Sequence, residues 1–365
     1  MKHIAIDARG LGGSSGRYVE RLIHYLERTD QQNRYTILLS PKDFDKWNPT
    51  ASNFQKLLCP HKEYTFDEQI GLKKQLESLR PDLVHFSMVQ QPVWYKASPV
   101  VTTMQDLTTA RWRNPDKNAV VFWFKQQVYK WVNRRVAHKS SEIITISNFV
   151  RDDIVDFCKI SPDKITVTYE SADAFPEAAE PIPELVDKQF IMYVGRPTPH
   201  KNLRRLIDAF AKLQTKHPEL VLALAGKKDS NYAKHEKYVN DHVLKNVFFT
   251  DLIPDSQLRW MYENCQAYIF PSLSEGFGLP GLEAMRHGAP VVSSTATCLP
   301  EIHGDAAHYF DPYNVQDIAR AINEVLSDPT LRQDLINRGY KNLERFSWQR
   351  MAKQTLAVYE KALSE

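Results

Sequence analysis

The sequence predicts an α/β protein built from two Rossmann-like, doubly wound domains facing a cleft. Three observations carry this. The 365 residues exceed the roughly 250–300 at which a single hydrophobic core stops growing. Short apolar runs alternate with segments of helical periodicity in both halves, the pattern of a parallel sheet covered on both faces. A proline-rich, acidic stretch without periodicity, ADAFPEAAEPIPELVD, separates the two series.

The first half opens with an apolar run at 3–6. A turn carrying Gly10, Gly12, Gly13 and Gly16 follows, then Tyr18, Val19, Leu22, Ile23 and Leu26 at helical spacing. Further strands are predicted at 35–39, 83–86, 100–103 and 143–146. The second half repeats the alternation, with strands at 190–194, 220–225, 247–249, 267–270 and 290–293 and a helix at 203–213. A last helix at 348–363 follows Ser347 as its N-cap. The expected organisation is a first domain over 1–172, a linker over 173–188, a second domain over 189–346, and a helix over 347–365 crossing back to the first domain.

Composition narrows the class. The chain is 42% hydrophobic and 25% charged, ordinary for a globular protein. A net charge of +3, from 47 basic and 44 acidic side chains, is too balanced for a nucleic-acid-binding surface over the whole molecule. Cys59, Cys158, Cys265 and Cys298 lie far apart without CxxC spacing, which suggests reduced core thiols rather than a zinc or redox site. The start, MKHIAIDARG, lacks the apolar stretch of a signal peptide, and no window approaches 18 apolar residues. A cytoplasmic location is expected, with peripheral contact at the inner membrane face left open.

The chemistry concentrates after strands, where ligands of open α/β sheets bind. PSLSEGFGLPGLEAM directly follows the run at 267–270. Gly276 and Gly278 permit a tight turn and close approach of a ligand, and Pro280 suits a first helical turn. Backbone amides near Phe277–Leu279 then stand at a helix N-terminus, which favours phosphate. Glu275 lies before that helix and Glu283 about one turn inside it, so the two carboxylates can hold hydroxyls at both ends of an elongated ligand. After the run at 190–194 come Gly195, Arg196, Lys201 and Asn202. Two cations there suit a diphosphate whose negative charge grows as it leaves.

VGRPTPHKNL, SLSEGFGLPGLEAM, HGAPVVSS and LPEI, in this order, resemble glycosyltransferase family 4, which has the GT-B fold. The resemblance implies that Glu275 contacts the donor sugar, Glu283 the ribose, and Arg196 and Lys201 the diphosphate. It implies retention of anomeric configuration, no metal and no cofactor beyond the nucleotide-sugar co-substrate. DARGLGGSSGRYV resembles the family's N-terminal glycine loop, which implies backbone lining the cleft near the donor phosphates or the acceptor, with Gly13 and Ser14 as the donor-binding candidates. The rival dinucleotide fingerprint fails, because from Gly10 and Gly12 the sixth position is Ser15.

After the run at 100–103 stand Gln105 and Asp106. Relatives commonly carry His-Asp here, so Gln105 can hydrogen-bond a hydroxyl but cannot titrate. Asp106 keeps the carboxylate, which is expected to orient the loop or meet the acceptor. His85 is a candidate for the cleft wall, with a structural hydrogen bond as the rival reading.

Between Arg111 and Lys139, eight cations (Arg111, Arg113, Lys117, Lys125, Lys130, Arg134, Arg135, Lys139) face one acid, Asp116. Trp112, Phe122, Trp123, Phe124 and Trp131 interleave. An anionic acceptor or membrane surface would fit; the plainer reading is a core helix with aromatics inward and cations solvated.

The function expected is retaining transfer of a hexose, of mannose or glucose type, from a nucleotide-diphosphate sugar such as GDP-mannose to a glycan or lipid-linked glycan acceptor, in cell-envelope polysaccharide synthesis. The alternatives are a non-catalytic nucleotide-sugar-binding protein of the same fold, or a Rossmann-type dehydrogenase or epimerase.

Overall fold

The computed structural model describes residues 1–12, 16–111 and 119–364. The chain divides into two compact units: residues 1–170 with 347–365, and residues 171–346.

Unit 1 contains β1 (His3–Asp7), α1 (Gly16–Thr29), β2 (Arg34–Leu39), β3 (Phe54–Leu58), α2 (Lys73–Leu79), β4 (Leu83–Phe86), β5 (Val100–Thr103), α3 (Thr108–Arg111), α4 (Ala119–Lys139), β6 (Glu142–Thr145), α5 (Asn148–Cys158) and β7 (Ile165–Val167). The strands form one parallel sheet in the order β3-β2-β1-β4-β5-β6-β7. β1 and β4 are buried along their whole length, as strands covered on both faces must be. α1 buries Tyr18, Val19, Leu22, Ile23 and Leu26, the stripe its spacing predicts. The strand order reverses between β1 and β4. Beside that point Arg9 is enclosed by Asp7 (2.7 Å) and Glu68 (2.9 Å), and donates to the carbonyls of His61 and Gln90. A buried guanidinium engaged on all these sides fixes the loop leaving β1.

Unit 2 contains β8 (Phe190–Val194), α6 (Leu203–Leu213), β9 (Val221–Ala225), α7 (Ser230–Asp241), β10 (Val247–Asp251), α8 (Asp255–Asn264), β11 (Ala267–Phe270), α9 (Leu279–Arg286), β12 (Val291–Ser294), α10 (Leu299–His303), β13 (Ala307–Phe310), α11 (Val315–Ser327) and α12 (Pro329–Leu343). Its parallel sheet runs β10-β9-β8-β11-β12-β13. Ile191, Tyr193, Leu222, Leu224 and Ile269 of the sheet pack against Leu206, Ile207 and Phe210 of α6 and Ile318 and Ile322 of α11. Asn314 and Asp328 accept from the first amides of α11 and α12, side-chain caps that stop each helix fraying at its start.

Residues 173–188, expected as a linker, lie within unit 2 as an anchored strap. Phe175 stacks on His287 with ring centroids 5.0 Å apart, and its N–H donates to His287 Nε2 at 3.3 Å. Arg259 donates to the carbonyls of Phe175 and Glu177 at 3.1 and 2.8 Å, and Ile182 and Leu185 are buried. Prolines and acids remove the periodicity that marks a helix or strand. A few apolar side chains still suffice to fasten extended backbone.

The last helix, α13 (Trp348–Ser364), belongs to unit 1 and packs on α1. It corrects the placement expected for His85. That residue is no cleft wall: it is fully buried beneath α13. Its Nδ1 lies 2.6 Å from the Tyr359 hydroxyl and its Nε2 2.8 Å from Thr103 Oγ1, which in turn meets the Tyr18 hydroxyl at 2.9 Å. With both faces of β4 covered, a polar side chain there must find its partners inside the protein. Lys361 adds a peripheral tie, 2.8 Å from the buried Glu142 carboxylate.

Burial lowers the His85 pKa from 6.5 to about 3. The folded unit therefore holds a neutral imidazole while the unfolded chain takes up a proton below 6.5. The stability from this site is complete above pH 6.5 and is lost as pH falls toward 3, at up to about 1.4 kcal/mol per pH unit. In His85→Gln, urea denaturation between about pH 7 and pH 4 should show a shallower loss of unfolding free energy with acidification than the parent shows. An equal slope in the two proteins would refute this assignment.

Candidate functional site

In unit 2 the chain leaves β8 toward β9 and β10, then returns to build β11, β12 and β13 on the other side. The crevice beyond the carboxyl ends of β8 and β11 is thus the switch point of the sheet, where ligands of such sheets bind. The two loops flanking it are stitched together. Asn202 donates through Nδ2 to the carbonyls of Pro271 (3.0 Å) and Pro312 (2.7 Å), and the amide of Leu273 donates to His200 O at 2.7 Å. Asn202 itself has a left-handed backbone (φ +59°), a conformation asparagine tolerates better than most residues. The stitch sets Lys201 on Glu275, with Nζ 2.7 Å from Oε1 and 2.9 Å from Oε2. Both side chains are only partly accessible, so the pair is shielded from bulk water on most sides.

The loop that carries Glu275 is held from beneath. The Glu275 amide donates to Thr297 Oγ1 at 3.1 Å, and the Cys298 thiol donates to the carbonyls of Glu275 and Phe277, each at 3.3 Å. Burial pushes that thiol well above its ordinary range, so it stays protonated as a donor. All four cysteines are buried and unpaired by disulfides. Gly278, at φ +103°, turns the chain into α9. Three residues on, a Cβ at Gly281 would stand 2.2 Å from His303 Nε2. His303 is fully buried under this turn, with Nδ1 3.2 Å from Ser293 Oγ, and burial lowers its pKa to about 4. Glu283, one turn into α9, is buried, and the Tyr262 hydroxyl donates to its Oε2 at 3.4 Å.

A lysine and a carboxylate paired at the switch point, above a glycine turn that opens a helix, is an arrangement for an anionic, hydroxyl-bearing ligand. Comparison with known proteins agrees with that chemistry. Residues 12–174 match the family described as Glycosyltransferase Family 4, and residues 175–342 match that described as Glycosyl transferases group 1. The chain belongs to glycosyltransferase family 4.

It is 32% identical over 231 residues to O-antigen chain mannosyltransferase B of Escherichia coli, covering 60% of each chain. It is 30% identical over 276 residues to the MMP alpha-(1->4)-mannosyltransferase of Mycolicibacterium hassiacum, covering 73% of this chain and 66% of that enzyme. The matches thus span less than two thirds of either relative. The structure of a sucrose-phosphate synthase from Thermosynechococcus elongatus superposes over 100% of both chains, with a TM-score of 0.76 and 18% identity, which is a likeness of fold. Two parallel Rossmann-like sheets of seven and six strands are the GT-B architecture.

The remaining residues singled out in the sequence fall as follows. Gly195 follows β8, and its amide donates to Ala225 O at 2.9 Å. Arg196 is exposed and lies 3.1 Å from Asp229, the carboxylate that also accepts from the first amides of α7. The structure therefore joins Lys201 to Glu275 and Arg196 to Asp229, a partner the sequence reading missed. Gly276 and Phe277 are buried within the turn, where Phe277 meets Phe346 edge-on, and Leu279 opens α9. In unit 1, Gln105 and Asp106 follow β5, and Asp106 accepts from the Thr108 amide at 2.8 Å, at the start of α3. Gly13 and Ser14 lie outside the described residues.

His303 and Glu170 also escaped the sequence reading. Glu170 ends the first stretch of unit 1 in a buried position that pushes its carboxyl up to about 7 against the opposing pull of Arg17. Neither sits in a spacing that marks chemistry. His303 ends the short helix α10 in LPEIHGD, between acids and a glycine, a setting that carries no signal of burial.

Asn202→Gly keeps the left-handed backbone and removes only the amide that stitches the loops. It should destabilise unit 2 by about 2 kcal/mol, from the buried hydrogen bonds lost, read by urea denaturation. Gly281→Ala should be more damaging, because its Cβ meets the His303 ring; a parent-like melting temperature would refute the packing described.

Proposed function

We propose that this chain is a retaining glycosyltransferase that moves a hexose from a nucleotide-diphosphate sugar to a glycan or lipid-linked glycan, in cell-envelope polysaccharide synthesis. The observation that carries the reading is the Lys201–Glu275 pair at the switch point of unit 2. In the donor complex the diphosphate takes Lys201 as its counter-ion, with Arg196 swinging from Asp229 to share that charge. Glu275 is then released to accept hydrogen bonds from the sugar hydroxyls. Glu283 holds the ribose from the buried side of the turn.

The acceptor oxygen attacks the anomeric carbon on the face from which the phosphate departs. The bond from that carbon to the phosphate oxygen breaks, and the acceptor proton passes to the leaving phosphate. Side chains and the α9 N-terminus carry the charge of the leaving group, so we assign no metal and no cofactor to this step. Gln105 and Asp106 serve hydroxyls rather than proton transfer at position 105, where glutamine cannot titrate. The mannosyltransferase names of the relatives favour mannose over glucose, and we assign GDP as its carrier. We assign the reaction to the cytoplasm, where nucleotide sugars are the activated donors.

Gln105 also supports a second reading, a protein that binds a nucleotide sugar without transferring it. Thermal shift against GDP, UDP, ADP and NAD tests the donor class. A ligand at about 100 times its dissociation constant stabilises by about 2.7 kcal/mol, and GDP or UDP should do so while NAD should not. A response to NAD alone would overturn the reading. Turnover of Glu275→Gln and Glu275→Ala tests the chemistry. Both should bind nucleoside diphosphate, and turnover should fall in both if the carboxylate accepts hydroxyl hydrogen bonds; near-parent turnover of the amide would remove that role.

A further inference from the structure

In the basic, aromatic segment, Trp123, Phe124 and Trp131 face solvent rather than the core. The inner face of α4 is already filled: Val136 and Ala137 are buried, and Tyr129 and Val132 pack on the same core. On the outer face Trp123 is 60% exposed, Phe124 63%, Val128 45% and Trp131 49%. Phe124, Val128 and Trp131 follow one another at spacings of four and three, a single stripe along the helix. Trp94, in the loop after β4, is 56% exposed and lies beside it, with ring centroids of Trp94 and Trp131 6.2 Å apart. The loop is fastened to the helix, since the Lys139 ammonium donates to Pro92 O at 2.6 Å. Burial pushes that lysine down to about 7, so it serves as a structural tie and not as surface charge.

Along α4 and the loop after β4, the two segments that carry the exposed rings, the charge has one sign. Residues 119–139 contain five Lys or Arg and no Asp or Glu, and residues 87–98 contain Lys96 and no acid. Lys125 and Lys130 flank the stripe, and Arg134 and Arg135 extend it. Arg134 rests on the Phe157 ring at 4.7 Å, while Arg111 is engaged by Asp153. Trp112, Arg113, Asp116 and Lys117 lie outside the described residues.

We propose that this face of unit 1, formed by Trp94, Trp123, Phe124, Val128 and Trp131 with Lys125 and Lys130, rests on an anionic lipid surface. Tryptophan and phenylalanine on a helix flanked by lysines, with no acid, is the composition of an interfacial helix: rings enter the headgroup boundary and ammonium groups meet lipid phosphate. Protein interfaces are depleted in lysine, which makes a folded partner the poorer occupant. Four exposed aromatic side chains in one patch exceed the scattered exposure normal for a monomer surface. The inference is independent of which sugar is transferred.

The test is flotation of the full chain with vesicles of phosphatidylcholine alone and with a third of the lipid replaced by phosphatidylglycerol, at low and high salt. The parent should float with the anionic vesicles at low salt and much less with the neutral ones or at high salt. Trp123→Ser/Phe124→Ser/Trp131→Ser should abolish flotation. Lys125→Gln and Lys130→Gln should each weaken binding about fivefold, the share of one cation near such a surface. Each variant should keep the parent's circular dichroism and its thermal response to nucleoside diphosphate, which separates loss of this surface from loss of the fold or the donor site. Absence of flotation by the parent would overturn the proposal. So would unchanged flotation of the triple variant, or concentration-dependent self-association of the parent that the triple variant lacks, which would assign the patch to a second copy.

Discussion

The candidate site depends on the way Asn202 joins three loops of unit 2. Lys201 follows β8 and Glu275 follows β11, strands that are neighbours in the sheet although the two side chains lie 74 residues apart in the chain. Holding a long lysine side chain in one geometry on a carboxylate costs rotamer entropy, so the pair depends on how its backbone is placed as well as on attraction. The amide of Asn202, buried against Pro271 and Pro312, fixes the backbone on which the lysine stands. Thr297, Cys298 and His303 do the same for the opposite loop. Two supports, one from each loop, meet at this charge pair.

Unit 1 uses comparable means toward a different end. Around Arg9 a buried cation is balanced by two carboxylates, and around His85 a neutral imidazole joins two hydroxyls. Breaking either network by removing one member would leave a buried polar group unpaired, which costs more than the hydrogen bond itself contributes. These networks order the sheet and its covering helix. The exposed aromatics of α4 form the contrasting surface, left uncovered while its inner face completes the core.

Much of this was legible in the sequence, and what was not has physical causes. Strands at 83–86, 100–103, 190–194 and 267–270 coincide with the apolar runs that predict them, because central parallel strands are buried on both faces. The three strands not foreseen, β3, β7 and β13, are outermost in their sheets. An edge strand has solvent on one side, so FQKLL and AHYF mix polar residues into what would otherwise be a run. The Glu275–Glu283 turn was legible because glycine, proline and acids recur at a spacing few other structures require. Its supports were not: Thr297, Cys298 and His303 reach it from the far side of β12, and no local pattern reports a contact between segments so far apart in the chain. His85 was misplaced for the same reason, since the tyrosine that covers it lies 274 residues further on.

That separation has a consequence for how the chain is made. Unit 1 is assembled from two distant stretches of the sequence, with all of unit 2 inserted between β7 and α13. On the ribosome the seven-stranded sheet is therefore complete while α13 is still unwritten, and the face bearing His85, Thr103 and Tyr18 waits uncovered until the whole of unit 2 has emerged. Unit 2 is continuous in sequence and holds everything its core needs as soon as residue 346 is clear of the exit. The sheet of unit 1 therefore precedes unit 2 in synthesis, while the helix that covers its polar core follows on the far side of unit 2, so the two stretches of unit 1 must meet across the whole of the inserted domain.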